Sequence, residues 1–525
     1  MPELVVSEIE TERLIRLQPP IERAATAVTA FVGRALKGPV ELATTISSFD
    51  EYQRVFGGLW QPSTLSYAVE QFFENGGQTC IIVRVCNGGR AATLTLRCAD
   101  GELTLIGLSP GTREYLRAAV DYDGIAAAET DRFNLVVQRL RAAGTELIED
   151  QEIFRRVTIR TDAERSLPEM LSASRLVRLV GTVPKARPDR TVGPGSAGGL
   201  GYVASNPDGD DGDALTNYDI IGDARNCTGL FALRPDLNFN FLCIPPLSRE
   251  LDVGLPALLV ALRQCREHRA MLLVDPPAAW NTPEAALEGL RNWPFHSDDA
   301  LMFYPRVLAF DRLRGRYEPF GSAAAGAGLL ARSDQICPVW TCNEADEPML
   351  RLGLRPAVSV NDVDRVRLAQ SGVNTLNAQR QSSRQRGTLR TLLPESGSKS
   401  DWRSLVARRM ALFLMSSIER GTDWVRLEHG GPPLWAQVRA QVIAFFESLA
   451  RDGAFRTGLP AENYFVVCDE RLNDAAAVAS GQFQLLFGFA VSRPGEHQTC
   501  LVTHQPESST ARMVSVNRFA LSRGS

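Results

Sequence analysis

A chain of 525 residues is long enough for three or four structural units at roughly 150 residues each, which excludes a single small module. Apolar residues at 44% and charged residues at 22% match a folded globular chain and exclude wholesale disorder or a fibrous repeat. The net charge of -4 leaves no bulk electrostatic pull toward nucleic acid or an anionic membrane.

The cations are almost all arginine: Lys37, Lys185 and Lys399 are the only lysines among 57 basic residues. Arginine suits planar ion pairs at desolvated contacts, although a genome rich in G and C produces the same bias. The 10 cysteines are scattered, without a C-x-x-C pair, unlike a disulfide scaffold or a zinc module, and fit a reducing compartment. The acidic start MPELVVSEIETER lacks the basic and apolar regions of a signal peptide, and no apolar run reaches the ~18 residues of a membrane span. The expected location at synthesis is the cytoplasm, without direct membrane insertion.

Residues 2–10 alternate apolar and polar side chains and run into Pro19-Pro20, the pattern of an extended arm too short to hold a core. TAVTAFVG (26–33) reads as a strand; Ser48 to Gly57-Gly58 brackets a short helix. Ser63 caps a helix over 63–74 that stops at Gly76-Gly77 and feeds the strand CIIVRV. From 91 to 190 the texture changes to short alternating runs such as TLTLRC and FNLVVQRL, an inserted antiparallel β-rich domain. Residues 191–214 concentrate Gly, Pro and Asp and predict a surface loop.

Strand and helix alternation returns over 215–357 with FNFLCIPP, VGLPALLVALRQCREHR, AMLLVDPP and ALMFYPRVLAF, the last read as one strand. This favours a parallel sheet with covered faces. Two long amphipathic helices, DWRSLVARRMALFLMSSIERG and PLWAQVRAQVIAFFESLARDG, each close on a glycine, and WVRLE, YFVVCD and QFQLLFGFAV read as strands beside them. TCLVTH and ARMVSVNRFAL form a second extended stretch at the C-terminus.

Motifs for chemistry fail on context. GPGSAG (193–198) contains a proline and precedes no helix, GAGLLA (326–331) lies just before Cys337-Pro338, and no G-x-x-x-x-G-K-[ST] exists, so no nucleotide cofactor is expected. Asp208, Asp210, Asp211 and Asp213 mimic a calcium loop, but its sixth and twelfth positions hold Asp213 and Asp219 instead of Gly and Glu. The five histidines form no metal spacing, and there is no G-x-S-x-G elbow. The expectation is no catalytic, cofactor or metal residues. Arg380, Arg384, Arg386 and Arg390 form one basic cluster without interleaved aromatics, which could contact phosphates or an acidic protein face.

AFVGRALKGPVELATTISSFDEYQRVFGG with AVEQFFENGGQTCIIVRV, then LLVDPP, ALMFYPRV and GSAAAGAGLLARSD, and finally SGVNTLNAQR, the long helix with WVRLEHG, the LW-x-x-VR helix and YFVVCDERLN together resemble the sheath proteins of contractile phage tails and phage tail-like contractile injection systems. The resemblance covers most of the chain outside 91–190. It implies an α/β (α+β multidomain) fold: an arm (1–20), an inner α/β domain formed by the N- and C-terminal segments (21–90 and 358–495), the β-rich insertion (91–190), a linker (191–214), a middle subtilisin-like α/β domain without the protease's site (215–357), and a C-terminal arm (496–525).

It further implies a structural subunit, not an enzyme, that polymerises helically around an inner tube and contracts to drive the tube through a target envelope. The implied partners are further copies of itself, the inner tube protein, and baseplate and tail-terminator proteins, with no nucleic acid. Arms of this family add strands to neighbouring subunits, which places self-association on Leu4, Val5, Val6, Ile9, Leu501, Val502, Met513, Val514 and Val516. Two departures stand out: AQRQSSRQRGTLRTLL (378–393) replaces the family's Gly- and Trp-containing stretch, and residues 506–525 extend past its expected last strand, which leaves open which strand is exchanged. The rival readings are a hydrolase built on the middle domain and an oligomeric nucleic-acid binder using Arg380 to Arg390.

Overall fold

The computed structural model describes residues 19–192, 201–341, 349–351, 353–376, 388–395, 401–428, 430–455, 459–491, 493 and 495–514. The chain divides into two compact units, residues 25–409 and residues 1–24 with 410–525.

The larger unit opens with β1 (Thr29–Gly33) and β2 (Thr44–Ile46), then α1 (Phe49–Phe56) and α2 (Thr64–Glu74), then β3 (Cys80–Arg84). The helix ends are those written in the sequence. Ser48 and Ser63 accept from the Glu51 and Ser66 amides at 3.2 and 3.1 Å, and Gly57 closes α1 at φ 89°, a conformation that costs only glycine little.

The insertion follows as β4 (Ala91–Cys98), β5 (Gly101–Pro110), β6 (Tyr115–Asp121), β7 (Arg132–Leu140), β8 (Ile148–Thr158), α3 (Leu167–Ser172), β9 (Val177–Val180) and β10 (Val203–Ala204). Its sheets, β4-β5-β9 and β10-β6-β7-β8, share one apolar core that includes Leu94, Leu105, Leu116, Phe133 and Val157, a sandwich. Residues 201–214 do not run free. They return along the insertion through β10 on β6 and through isolated bridges at Arg90–Asp210 and Asn87–Asp213.

The chain continues through α4 (Asn217–Ile221), β11 (Phe241–Cys243), α5 (Leu255–His268), β12 (Met271–Val274), α6 (Pro283–Asn292), β13 (Ala300–Tyr304), β14 (Val307–Asp311), β15 (Arg316–Phe320), α7 (Ala323–Ile336), β16 (Arg355–Pro356), α8 (Asp362–Gln370) and β17 (Asn374–Thr375). The central sheet has the order β17-β13-β12-β11-β1-β3-β2, parallel except where β2 meets β3. Every residue of β1, β3, β11, β12 and β13 is buried, as expected of parallel strands covered on both faces.

The sheet does not divide where the sequence analysis placed its boundaries. β1 and β3, assigned to an inner domain with residues 358–495, pair through β11 with the strands of the middle segment. Short buried strands carry no label of their sheet partner, so this pairing is a tertiary decision. ALMFYPRVLAF is two strands in two sheets, broken at Pro305, which has no N–H to donate. The glycines of GAGLLA lie inside α7, where a Cβ at Gly326 would collide with the Phe303 ring and one at Gly328 with the Phe72 carbonyl.

The second unit contains the greater part of α9 (Leu405–Thr422), then α10 (Pro432–Arg451), α11 (Pro460–Asn463), β18 (Tyr464–Val467), α12 (Ala475–Ala479), β19 (Phe483–Ala490), β20 (His497–His504) and β21 (Ser509–Val514). WVRLE is no strand. The backbone tightens at the end of α9 into a 3-10 helix over Asp423–Leu427, with Leu427 89% exposed, because five alternating residues are too few to override a helix already running. Gly421 does not stop α9; a Cβ there would lie 2.7 Å from Ile21, so the glycine admits the N-terminal segment.

Candidate functional site

The assembly surface expected from the arms falls on the antiparallel sheet β18-β19-β20-β21. Its inner face packs on α10: Phe446 stacks on Tyr464 at 4.8 Å, and Phe487 lies 5.9 Å from Phe446. Leu501 and Val502 sit in β20, paired on one side with Leu486 and Leu485 and on the other with Arg512 and Ala511. Their backbone is fully engaged within the chain. Met513 and Val514 lie on β21, opposite Cys500 and Thr499, and β21 is an edge strand. Leu4, Val5, Val6, Ile9 and Val516 lie outside the described residues.

The N-terminal segment is tied to this unit just after the arm. Gln441 donates to the Pro19 carbonyl at 2.8 Å, the Ala24 amide to Ser417 Oγ at 3.0 Å, and Arg23 pairs with Asp452.

A polar chain that sequence reasoning missed closes the turn end of β20 and β21. Thr422 Oγ1 lies 2.8 Å from His504 Nε2, His504 Nδ1 lies 2.7 Å from Ser509 Oγ, and Ser509 donates to Asp423 Oδ1 at 2.7 Å. Asp423 also accepts from Arg426. Burial pushes His504 down to about 4, against the pull of Asp423. The serine stands between carboxylate and histidine, the reverse of a nucleophile activated by a base. No local motif marks these residues, because Asp423 and Ser509 are 86 positions apart.

The other candidates resolve into structural roles. Of the basic cluster, Arg380, Arg384 and Arg386 lie outside the described residues. Arg390 exchanges backbone bonds with the Asn374 side chain at 2.8 Å, and burial together with nearby Arg403 lowers its pKa. In the acidic loop, Asp208 accepts from the amide and hydroxyl of Thr93, and Asp211 from those of Thr112. These carboxylates hold the returning strand instead of converging. Among the described residues no three His, Cys, Asp or Glu side chains are grouped to hold a metal ion. His268 faces the carbonyls of Leu237 and Leu233 at 3.2 and 3.1 Å, and Cys265 is fully buried.

At the C-terminal ends of the parallel strands, where α/β sheets usually bind ligands, a small cleft is lined by Thr64, Gln71, Cys243, Arg249, Asp275 and Arg306 among others. Its charges are already spent: Arg306 on Asp252 and the Pro276 carbonyl, Arg249 on Asp311, and Asp275 on the Ala323 amide at 2.7 Å. Burial raises Asp275 to about 6. No histidine lines the cleft, and burial holds the Cys243 thiol well above its ordinary range, so the lining offers no paired nucleophile and base.

Taken over its whole length, the fold is similar to that of contractile tail sheath proteins. The chain is similar to a sheath tail protein from Listeria innocua at 11% identity and a TM-score of 0.59, over 93% of this chain and 97% of that one. It is similar to the sheath of the extracellular contractile injection system PVC in its contracted state, at 16% identity and a TM-score of 0.52, over 94% and 95% of the two chains. The contracted helical sheath of the anti-feeding prophage matches over 94% and 96% at 15% identity, with a TM-score of 0.50. No protein-family profile matches the chain, and no curated protein is similar to it in sequence.

Proposed function

We propose that this chain is a structural subunit of a contractile sheath, one that polymerises helically around an inner tube and contracts to drive the tube through a target envelope. The observation that carries the reading is the fold shared with sheath proteins along nearly the whole of both chains. A heterologous contact repeated by a screw operation builds an open tube. Contraction then follows as a switch between two packings of the same subunits, small in free energy per copy and large per assembly, and it needs no cofactor.

In this reading the arm that leaves the second unit at Pro19 adds a strand to a neighbouring copy, and the open edge of β21 receives one. Met513 and Val514 lie on that edge, and Leu4, Val5, Val6, Ile9 and Val516 are the arm residues that would set its register. The basic segment from Arg380 to Arg390 faces another subunit or the tube. Baseplate and tail-terminator proteins bound the polymer, and assembly takes place in the bacterial cytoplasm. Among the described residues no helix is long and apolar enough to cross a membrane.

Negative-stain electron microscopy of the full chain, alone and co-expressed with its tube protein, tests this. Hollow striated tubes from the full chain and none from a chain lacking residues 1–18 are expected. Compact single particles under both conditions would overturn the reading.

A further inference from the structure

Two asparagines of the chain are followed by glycine, in Asn75-Gly76 and Asn87-Gly88. A glycine carries no Cβ to shield its backbone nitrogen, which can reach the preceding side-chain carbonyl carbon wherever the chain is free to turn. The fold treats the two pairs in opposite ways. Asn75 is fully buried: its Nδ2 donates to the Gln71 carbonyl at 2.8 Å and its Oδ1 accepts from the Arg351 amide at 3.1 Å. The Gly76 amide is spent on the Phe73 carbonyl at 3.1 Å. Asn87 is half-buried, and among the described residues its side chain makes one hydrogen bond, from Nδ2 to the Ala214 carbonyl at 2.9 Å. A surface bond of this kind exchanges readily with water. Gly88 is exposed at φ 69°, a Cβ on it would stand in open space, and among the described residues its amide donates to no acceptor.

We propose that Asn87-Gly88 is a self-modifying site, at which the native chain converts Asn87 to aspartate and isoaspartate with water as co-reactant, and that the product loosens the neck of the insertion. The Gly88 nitrogen gives its proton to solvent base and bonds to Asn87 Cγ. The Cγ–Nδ2 bond breaks, and the side-chain nitrogen takes up a proton and leaves as ammonia. Water then opens the cyclic imide at either carbonyl. Attack at Cγ restores the main chain and leaves aspartate; attack at the backbone carbonyl leaves isoaspartate, with the chain routed through Cγ. One water enters and one ammonia departs, and nothing is oxidised or reduced.

Its position sets the consequence. Asn87 stands where the chain enters the insertion, bridged to Asp213, whose amide donates to the Asn87 carbonyl at 2.8 Å; the Arg90–Asp210 bridge follows. An aspartate at 87 has no proton for the Ala214 carbonyl. It also sets a negative charge against a returning segment that carries Asp210, Asp211 and Asp213. Nearby cations are already engaged, Arg90 lying 3.9 Å from Asp210 and Arg34 donating to the carbonyls of Asp211 and Gly212. Isoaspartate adds a carbon to the main chain and shifts the carbonyl that Asp213 uses. The proposal concerns chemistry within one chain and does not rest on the sheath reading.

Peptide mass spectrometry of the full chain, incubated natively at mildly alkaline pH and sampled over time, reads both sites at once. Conversion at Asn87 should run at least about ten-fold faster than at Asn75, because the buried pair reacts only through local opening. In denaturant the two rates should draw level, and Asn87→Gln should remove the products at 87 alone. Asn87→Asp, which supplies one product from the start, should raise hydrogen exchange of the Asp213 and Arg90 amides about ten-fold over fresh wild type. Equal native rates at the two pairs, or a native Asn87 that stays intact while the denatured chain converts, would overturn the site. Exchange at Asp213 and Arg90 untouched by Asn87→Asp would overturn the loosening of the neck.

Discussion

Arg84 shows how one side chain joins three segments. It is 2% exposed and donates to the carbonyls of Ala35, Leu36, Gly38 and Pro110 and to Ser109 Oγ, at 2.6 to 3.4 Å. A guanidinium can satisfy this many acceptors and a lysine cannot. Replacing it with Met strands several buried carbonyls, so Arg84→Met should cost about 3 kcal/mol or more in urea unfolding. Asp275 makes a prediction in pH. Its carboxyl is raised from 3.8 to about 6 by burial, so the folded state holds its proton longer than the unfolded chain does. That contribution is present at low pH and lost as pH rises through 6. Asp275→Asn keeps an acceptor for the Ala323 amide and should gain about 2–3 kcal/mol relative to wild type at pH 8, with little gain at pH 4, in paired denaturation curves.

At the scale of elements, the insertion behaves as a unit. Its core is distinct from that of the central sheet, and the chain enters and leaves it side by side through the Asn87–Asp213 and Arg90–Asp210 bridges. A fragment of residues 88–213 should therefore fold alone and unfold cooperatively, read by circular dichroism against heat. The first turns of α9 are held differently, by charge. Arg408 pairs with Asp299, which also accepts from Arg266, and Arg409 pairs with Asp334, with both partners of the second pair about 6–7% exposed. Removing one partner of a buried pair leaves an uncompensated charge. Arg409→Met should cost about 3–5 kcal/mol, and Arg409→Met with Asp334→Leu should recover most of it.

For the whole molecule, the proposed sheath role, in which an open polymer grows from a heterologous contact, predicts a nucleation lag. Light scattering of the purified chain should show that lag above a threshold concentration, and sheared tubes added as seeds should abolish it.

Local elements were legible in the amino-acid order because their causes are local. Ser48 and Ser63 caps, Gly57, the buried apolar strands and the alternation of the insertion each follow from capping, φ preference or periodicity within a few residues. The resemblance of three separated motifs anticipated the sheath fold for the same reason: it is written in short stretches. The tertiary structure alone decided which sheet received β1 and β3, that Gly421 and Gly326 answer to Ile21 and Phe303, and that Asp423, His504 and Ser509 meet. Those outcomes depend on surfaces brought together across tens to hundreds of residues, and the sequence carries no short-range signal of such contacts.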